Sequence, residues 1–166
     1  TGIKMTNATT GVHEIRVYNN SISNLTTAYA GAASTTRMIR GMSGLSTANN
    51  TATYAIYNNS VSIDGSASPN ASNNCFDIAG TLTTQPKYDV RNNIFANYTI
   101  AQGATAKHCC YFANSATLLG GTGTTVNQND MWLANDGGVS GFIGQSSTIA
   151  GTFPVGTFNT TYATYV

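Results

Sequence analysis

The sequence predicts an all-β chain of repeated strand units stacked on one another, and three observations lead there. A six-residue stretch, Ile56-Tyr57-Asn58-Asn59-Ser60-Val61, recurs as Val17-Tyr18-Asn19-Asn20-Ser21-Ile22, as Val90-Arg91-Asn92-Asn93-Ile94-Phe95 and, degraded, as Val126-Asn127-Gln128-Asn129-Asp130-Met131. Self-similarity at such a period is the mark of a repeat architecture. Only 8% of the 166 residues are charged and 41% are hydrophobic, the rest being mostly Thr, Asn, Ser, Gly and Ala. That balance excludes a coiled coil and a charged disordered segment. Around the Asn pairs, apolar and polar residues alternate with the period of a strand, so that Ile15 and Val17 share one face and Arg16 and Tyr18 the other.

In chain order, Ile3-Lys4-Met5-Thr6-Asn7 reads as a short strand closed by a turn residue, and the first Asn-pair strand runs from Ile15 to Ile22. A soft loop of Ala, Thr, Ser and Gly follows, Thr26 to Thr36. The second unit opens at Arg37-Met38-Ile39-Arg40-Gly41 and returns through Tyr54 to Ile63. The third opens at Phe76-Asp77-Ile78-Ala79-Gly80 and returns from Tyr88 to Phe95, and the fourth opens at Cys110-Tyr111-Phe112-Ala113-Asn114 and returns from Thr124 to Met131. Each unit thus holds two strands, a first ending in Gly or Asn and a second ending in the Asn pair. The second unit fits least well. Arg37 falls where the others have Ile3, Phe76 and Cys110, so either that strand slips by one residue and buries Met38 or Arg37 sits at the edge of the core.

Spacing arranges these strands. Marker residues of the first and second strands (Asn7 and Asn19, Gly41 and Asn58, Gly80 and Asn92, Asn114 and Gln128) lie 12, 17, 12 and 14 residues apart, and the step from each Asn pair to the next unit's marker is 22. Twelve residues suit a strand, a corner and another strand at about 3.3 Å per residue. The two strand types therefore belong on different faces of one turn, a turn takes 34 to 39 residues, and like strands stack on like.

The unit from Gly2 to Asn24, of the form G-I-x-M-x-N followed by I-x-V-Y-N-N-S-I-S-N, resembles the parallel β-helix repeat of pectate-lyase-like and copper-transport-accessory-like proteins. The Ala/Ser/Thr-rich insertions after each Asn pair look most like repeats in large secreted surface proteins and adhesins of gliding bacteria. So does Asn129-Asp130-Met131-Trp132-Leu133 followed by Gly138 to Gly144. The resemblance covers roughly residues 2 to 145. It implies a right-handed parallel β-helix solenoid of about four turns over residues 1–145, with residues 146–166 as a C-terminal cap or a strand passed to a neighbouring module.

A corner between stacked strands can demand left-handed backbone angles, which Asn tolerates better than most residues. Stacked Asn side chains can also donate to and accept from one another about 4.8 Å apart, forming a satisfied polar ladder. Either Asn19, Asn58, Asn92 and Gln128 or their neighbours Asn20, Asn59, Asn93 and Asn129 form that ladder. Inward positions are Ile15, Val17, Ile22, Ile56, Val61, Val90, Phe95, Val126 and Met131 on one sheet, and Met5, Ile39, Phe76, Ile78, Cys110 and Phe112 on another.

Little else carries chemistry. A net charge of +1 with seven scattered Lys and Arg provides no electrostatic footprint for nucleic acid or anionic lipid, and no apolar run of roughly 18 residues suggests membrane insertion. Asp77 and Asp89 face outward on neighbouring strands and could approach each other, but the remaining carboxylates (Glu14, Asp64, Asp130, Asp136) do not cluster as glycoside hydrolysis requires. His13 and His108 stand alone, so neither a metal nor another cofactor is expected. With the units aligned on Gly80 and Asn114, Cys75 lies opposite Cys109 on the outward side of adjacent turns, while Cys110 points inward. A Cys75 to Cys109 disulfide is one outcome and free thiols the other. Outward aromatics Tyr18 and Tyr57, at matching positions, with Trp132 nearby, are candidates for stacking on sugar rings, with ordinary cross-strand packing as the alternative. The inserted loops Thr26 to Thr36, Gly65 to Asn73 and Ile100 to Lys107 share one corner and are bland.

The expected function is that of a non-catalytic structural and adhesive segment of an extracellular bacterial surface protein or filament. Its partners are neighbouring copies or adjacent modules stacked end to end, and surface glycans. The alternative is a carbohydrate-binding or polysaccharide-degrading β-helix module.

Overall fold

The computed structural model describes residues 1–5, 14–26, 31, 34–45, 53–64, 71–79, 87–99, 108–113, 125–134 and 141–146. These form strands β1 (Ile3–Met5), β2 (Glu14–Tyr18), β3 (Ser21–Leu25), β4 (Ser34–Leu45), β5 (Thr53–Tyr57), β6 (Ser60–Ile63), β7 (Ala71–Ala79), β8 (Lys87–Arg91), β9 (Ile94–Asn97), β10 (His108–Ala113), β11 (Thr125–Asn127), β12 (Asp130–Leu133) and β13 (Gly141–Ser146). The described chain is all-β. Its strands stack in three sheets ordered β1-β4-β7-β10-β13, β11-β8-β5-β2 and β12-β9-β6-β3, called here the first, second and third. Every strand pairing is parallel. The chain visits the sheets in rotation, one strand in each per pass.

Each pass holds three strands rather than the two the sequence predicts. The single strand expected over Ile15 to Ile22 is two strands in different sheets, β2 and β3, parted at Asn19 and Asn20. The same break parts β5 from β6, β8 from β9 and β11 from β12. Asn19, Asn58, Asn92 and Gln128 adopt φ of 58°, 55°, 54° and 56°. A left-handed residue turns an extended chain out of its sheet, so the corner lies inside each repeat rather than at its end.

Met42, not Arg37, is the counterpart of Ile3 and Phe76, and Phe76 in turn pairs with Tyr111. β4 reaches this alignment through irregularities between Ser34 and Ile39. With the true partners, Ile3 to Asn20, Met42 to Asn59 and Phe76 to Asn93 each span 17 residues. In the fourth pass Tyr111 to Asn129 spans 18, so the segment before the Asn pair is the nearly constant one. The uniform step of 22 after it came from misplaced markers, and insertions between the third and first sheets absorb the length variation.

The core lies between the sheets. Met42, Phe76 and Ile78 come from the first, Tyr54, Ile56, Tyr88, Val90 and Val126 from the second, and Val61, Ile63, Phe95 and Leu133 from the third. The apolar positions expected on one sheet therefore divide between two. Ile15, Val17, Ile22 and Met131 are only partly buried, and the Phe112 side chain lies outside the described residues. Tyr54 and Tyr88, absent from the expected core, stack at 4.7 Å with rings 9° apart, and Phe76 stacks on Phe95 at 6.0 Å. Burying rings of this size contributes about 2 kcal/mol each. The first and third sheets approach closely at Gly41, where a Cβ would run into the Val61 side chain and lie 2.6 Å from the Cys75 carbonyl oxygen.

Candidate functional site

The corner between the second and third sheets holds two adjacent columns with different tasks. Asn19, Asn58, Asn92 and Gln128 are exposed and supply the left-handed residue. Asn20, Asn59, Asn93 and Asn129 turn inward and bond to one another. Asn20 Nδ2 donates to Asn59 Oδ1 (2.9 Å), Asn59 Nδ2 to Asn93 Oδ1 (3.0 Å) and Asn93 Nδ2 to Asn129 Oδ1 (2.8 Å). Each of these Oδ1 atoms also accepts the backbone N–H of the same neighbour, at 3.1, 2.9 and 3.0 Å. The amide groups reach back as well: Asn59 Nδ2 donates to the Val17 carbonyl, Asn93 Nδ2 to that of Ile56 and Asn129 Nδ2 to that of Val90. Asn59 and Asn93 are 1% exposed, so these bonds satisfy groups that would otherwise be orphaned. The partners are 39, 34 and 36 residues apart in sequence.

On the outer face of the second sheet, Tyr18, Tyr57 and Arg91 occupy one register column, and Ala55 and Asp89 the column beside it. The Tyr57 hydroxyl donates to Asp89 Oδ2 at 2.6 Å, and Arg91 Nε pairs with Asp89 Oδ1. That bond to a carboxylate, together with burial, raises the Tyr57 phenol above its ordinary range. Arg16 donates to Glu14 at 2.8 Å and lowers its carboxyl pKa. Tyr18 is 57% exposed, but Tyr57 is held by its carboxylate.

Trp132 is on a different face. It lies in β12 of the third sheet, opposite Ala96, and packs at 4.6 Å against Tyr98, just beyond β9, with an interplanar angle of 38°. The structure thus joins Tyr18 to Tyr57 but separates both from Trp132. Tyr98 was missed because it follows a strand end, where alternation gives no signal. Asn97 was missed too. It occupies the buried column of Ile63 and Leu133 and ties the third sheet to the first by donating to the Asn73 carbonyl at 2.9 Å.

In β7, Cys75 and Phe76 are neighbours in sequence and both sit in the core, so alternation lapses there. Asn74 and Asp77 flank them and meet on the other side, Asn74 Nδ2 donating to Asp77 Oδ2 at 2.9 Å while Arg40 Nε stands 3.5 Å from the same oxygen. Asp77 is fully buried rather than solvated, and Asp89 is engaged with Tyr57 and Arg91, so the two carboxylates serve separate networks. Cys75 is also buried rather than outward. Cys109 pairs with Asn74 and Tyr111 with Phe76, which brings Cys110 opposite Cys75 and moves Cys109 out of line. The Cys110 thiol donates to the carbonyls of Trp132 (3.1 Å) and Phe95 (3.3 Å). Burial raises the Tyr88 phenol, whose hydroxyl has no hydrogen-bond partner. Among the described residues no three His, Cys, Asp or Glu gather as a metal site, and His13 lies outside them.

Comparison of the chain with family models, with curated proteins and with solved structures returns no match.

Proposed function

We propose that the chain is a segment of a right-handed parallel β-helix that serves as a stiff, non-catalytic rod in an extracellular surface protein or filament of a bacterium. The observation that carries the reading is the asparagine ladder, which runs unbroken through four passes and locks three interfaces with paired side-chain and backbone bonds. Stacked repeats whose neighbours share bonds at every pass resist local opening, and such arrays suit extended surfaces. The resemblance of the repeats to those of secreted adhesins supports the location, and the engagement of Asp77 and Asp89 in separate networks supports a role without catalysis. Neighbouring modules or copies stack end to end on the strand edges of the outermost passes.

Negative-stain micrographs of the purified chain test this reading, with end-to-end fibres as the expected result. A dispersed monomer that releases reducing ends or uronate from polysaccharide would overturn it in favour of a carbohydrate-degrading module.

A further inference from the structure

From the outer face of the third sheet we infer that Tyr98, Trp132 and Asp130 form a binding site for protonated amino-sugar units of a polysaccharide. The site goes beyond the rod reading and stands whether or not copies of the chain stack. Of the large hydrophobic side chains exposed among the described residues, Ile94 (49%), Tyr98 (45%) and Trp132 (49%) fall together. Trp132 lies beside Ala96 in the ladder, and Ile94 and Tyr98 are each two residues from Ala96. The Tyr98 and Trp132 rings pack against each other at 4.6 Å, tilted by 38°, and both side chains stay about half exposed. Contiguous exposed apolar surface of this kind marks an interaction site more often than scattered residues do.

Charge complementarity selects the occupant. Asp130 pairs with Ile94 and precedes Trp132 by two residues on the same side of the strand, about 7 Å away along it. It is exposed and has no cation partner among the described residues, whereas Arg16, Arg40 and Arg91 are committed to Glu14, Asp77 and Asp89. A carboxylate without a cation partner among the described residues, on the same face as two exposed aromatic rings of which Trp132 is the nearer, favours an organic cation. The rest of the face is hydroxyl-bearing: Ser60 lies beside Ile94, Ser62 beside Ala96 and Ser21 beside Ser60. A pyranose carrying an ammonium group answers all three features, with its C–H face on the rings, its charge at Asp130 and its hydroxyls along the serines. A neutral sugar leaves the carboxylate unused, and a lysine side chain leaves the serines unused.

Trp132 is the only tryptophan in the chain, so its emission reports the site without a label. Titration with glucosamine oligomers at mildly acidic pH and low salt is expected to shift that emission saturably. N-acetylated oligomers and oligolysine bind more weakly. Asp130→Asn weakens binding of the amine form about fivefold and leaves the acetylated form unchanged, while Tyr98→Ala weakens both about fivefold or more. Circular dichroism checks that each variant folds, and Asp130→Asn carries the test alone if Tyr98→Ala does not. Unchanged emission with glucosamine oligomers overturns the inference. Equal binding of the acetylated form with no effect of Asp130→Asn also overturns it and leaves a neutral-glycan site, and tighter binding of oligolysine overturns it in favour of a basic peptide.

Discussion

Two columns of residues share the corner between the second and third sheets, and they differ in what they must supply. The outer column, Asn19, Asn58, Asn92 and Gln128, provides a left-handed backbone and an exposed side chain. Its last member is Gln, which shows that a side chain one methylene longer satisfies the position. The inner column, Asn20, Asn59, Asn93 and Asn129, must place a carbonyl oxygen and an amide nitrogen at fixed heights to meet the same groups one pass away. A longer side chain would overshoot, and an aspartate would lack the donor. Asparagine is thus used twice in succession for unrelated reasons, one conformational and one of hydrogen bonding.

Substitutions can separate the two. Asn59→Leu is expected to cost the most, about 3 kcal/mol, because it strips the Asn20 N–H and Nδ2 of their acceptor and the Val17 and Tyr57 carbonyls of a donor in a buried setting. Urea unfolding with an unchanged m-value would measure it. Asn58→Ala is expected to cost only about 1 kcal/mol, because alanine keeps the Cβ but loses the short polar side chain that eases asparagine into the left-handed region, while Asn58→Gly stays within about 0.5 kcal/mol of the parent. Equal losses at Asn58 and Asn59, or a large loss for Asn58→Gly, would break the distinction between the columns.

The last substitution tests the corner's outer neighbour. Tyr57→Phe removes a partly buried bond to Asp89 and is expected to cost about 1 kcal/mol near neutral pH. The bond raises the Tyr57 phenol, so the folded state holds that proton more tightly than the unfolded state. Its contribution is full below the unfolded value of about 10 and is lost as pH rises through the folded value. The stability difference between Tyr57→Phe and the parent should therefore shrink in alkali, and a difference that grows there would show that the bond is not its source.

The repeat and its corner were legible because both are local: an Asn pair between alternating apolar residues announces itself within six positions. The sequence left open which column forms the ladder, since two adjacent asparagines look alike until the left-handed residue is located at Asn19 and not at Asn20. Strand β4 was misaligned for a different reason. Arg37-Met38-Ile39 alternates as plausibly as Met42 does, and its irregular pairing with β7 is settled only by contacts with another pass. In β10 the pairing lies one residue from the alignment of Gly80 with Asn114, which places Cys110 rather than Cys109 opposite Cys75, while Cys110 is buried as its inward position predicts.

From the sequence alone came the all-β class, the period of 34 to 39 residues, most of the core positions and the corner, since alternation and left-handed tolerance are properties of a few neighbouring residues. Only tertiary structure decided that each pass spans three sheets, that the inner asparagines bond to one another, that Cys75 and Asp77 are buried, and that Tyr98 meets Trp132. Those facts depend on how one pass registers on the next. That is a matter of packing between residues more than thirty positions apart, where local pattern carries no information.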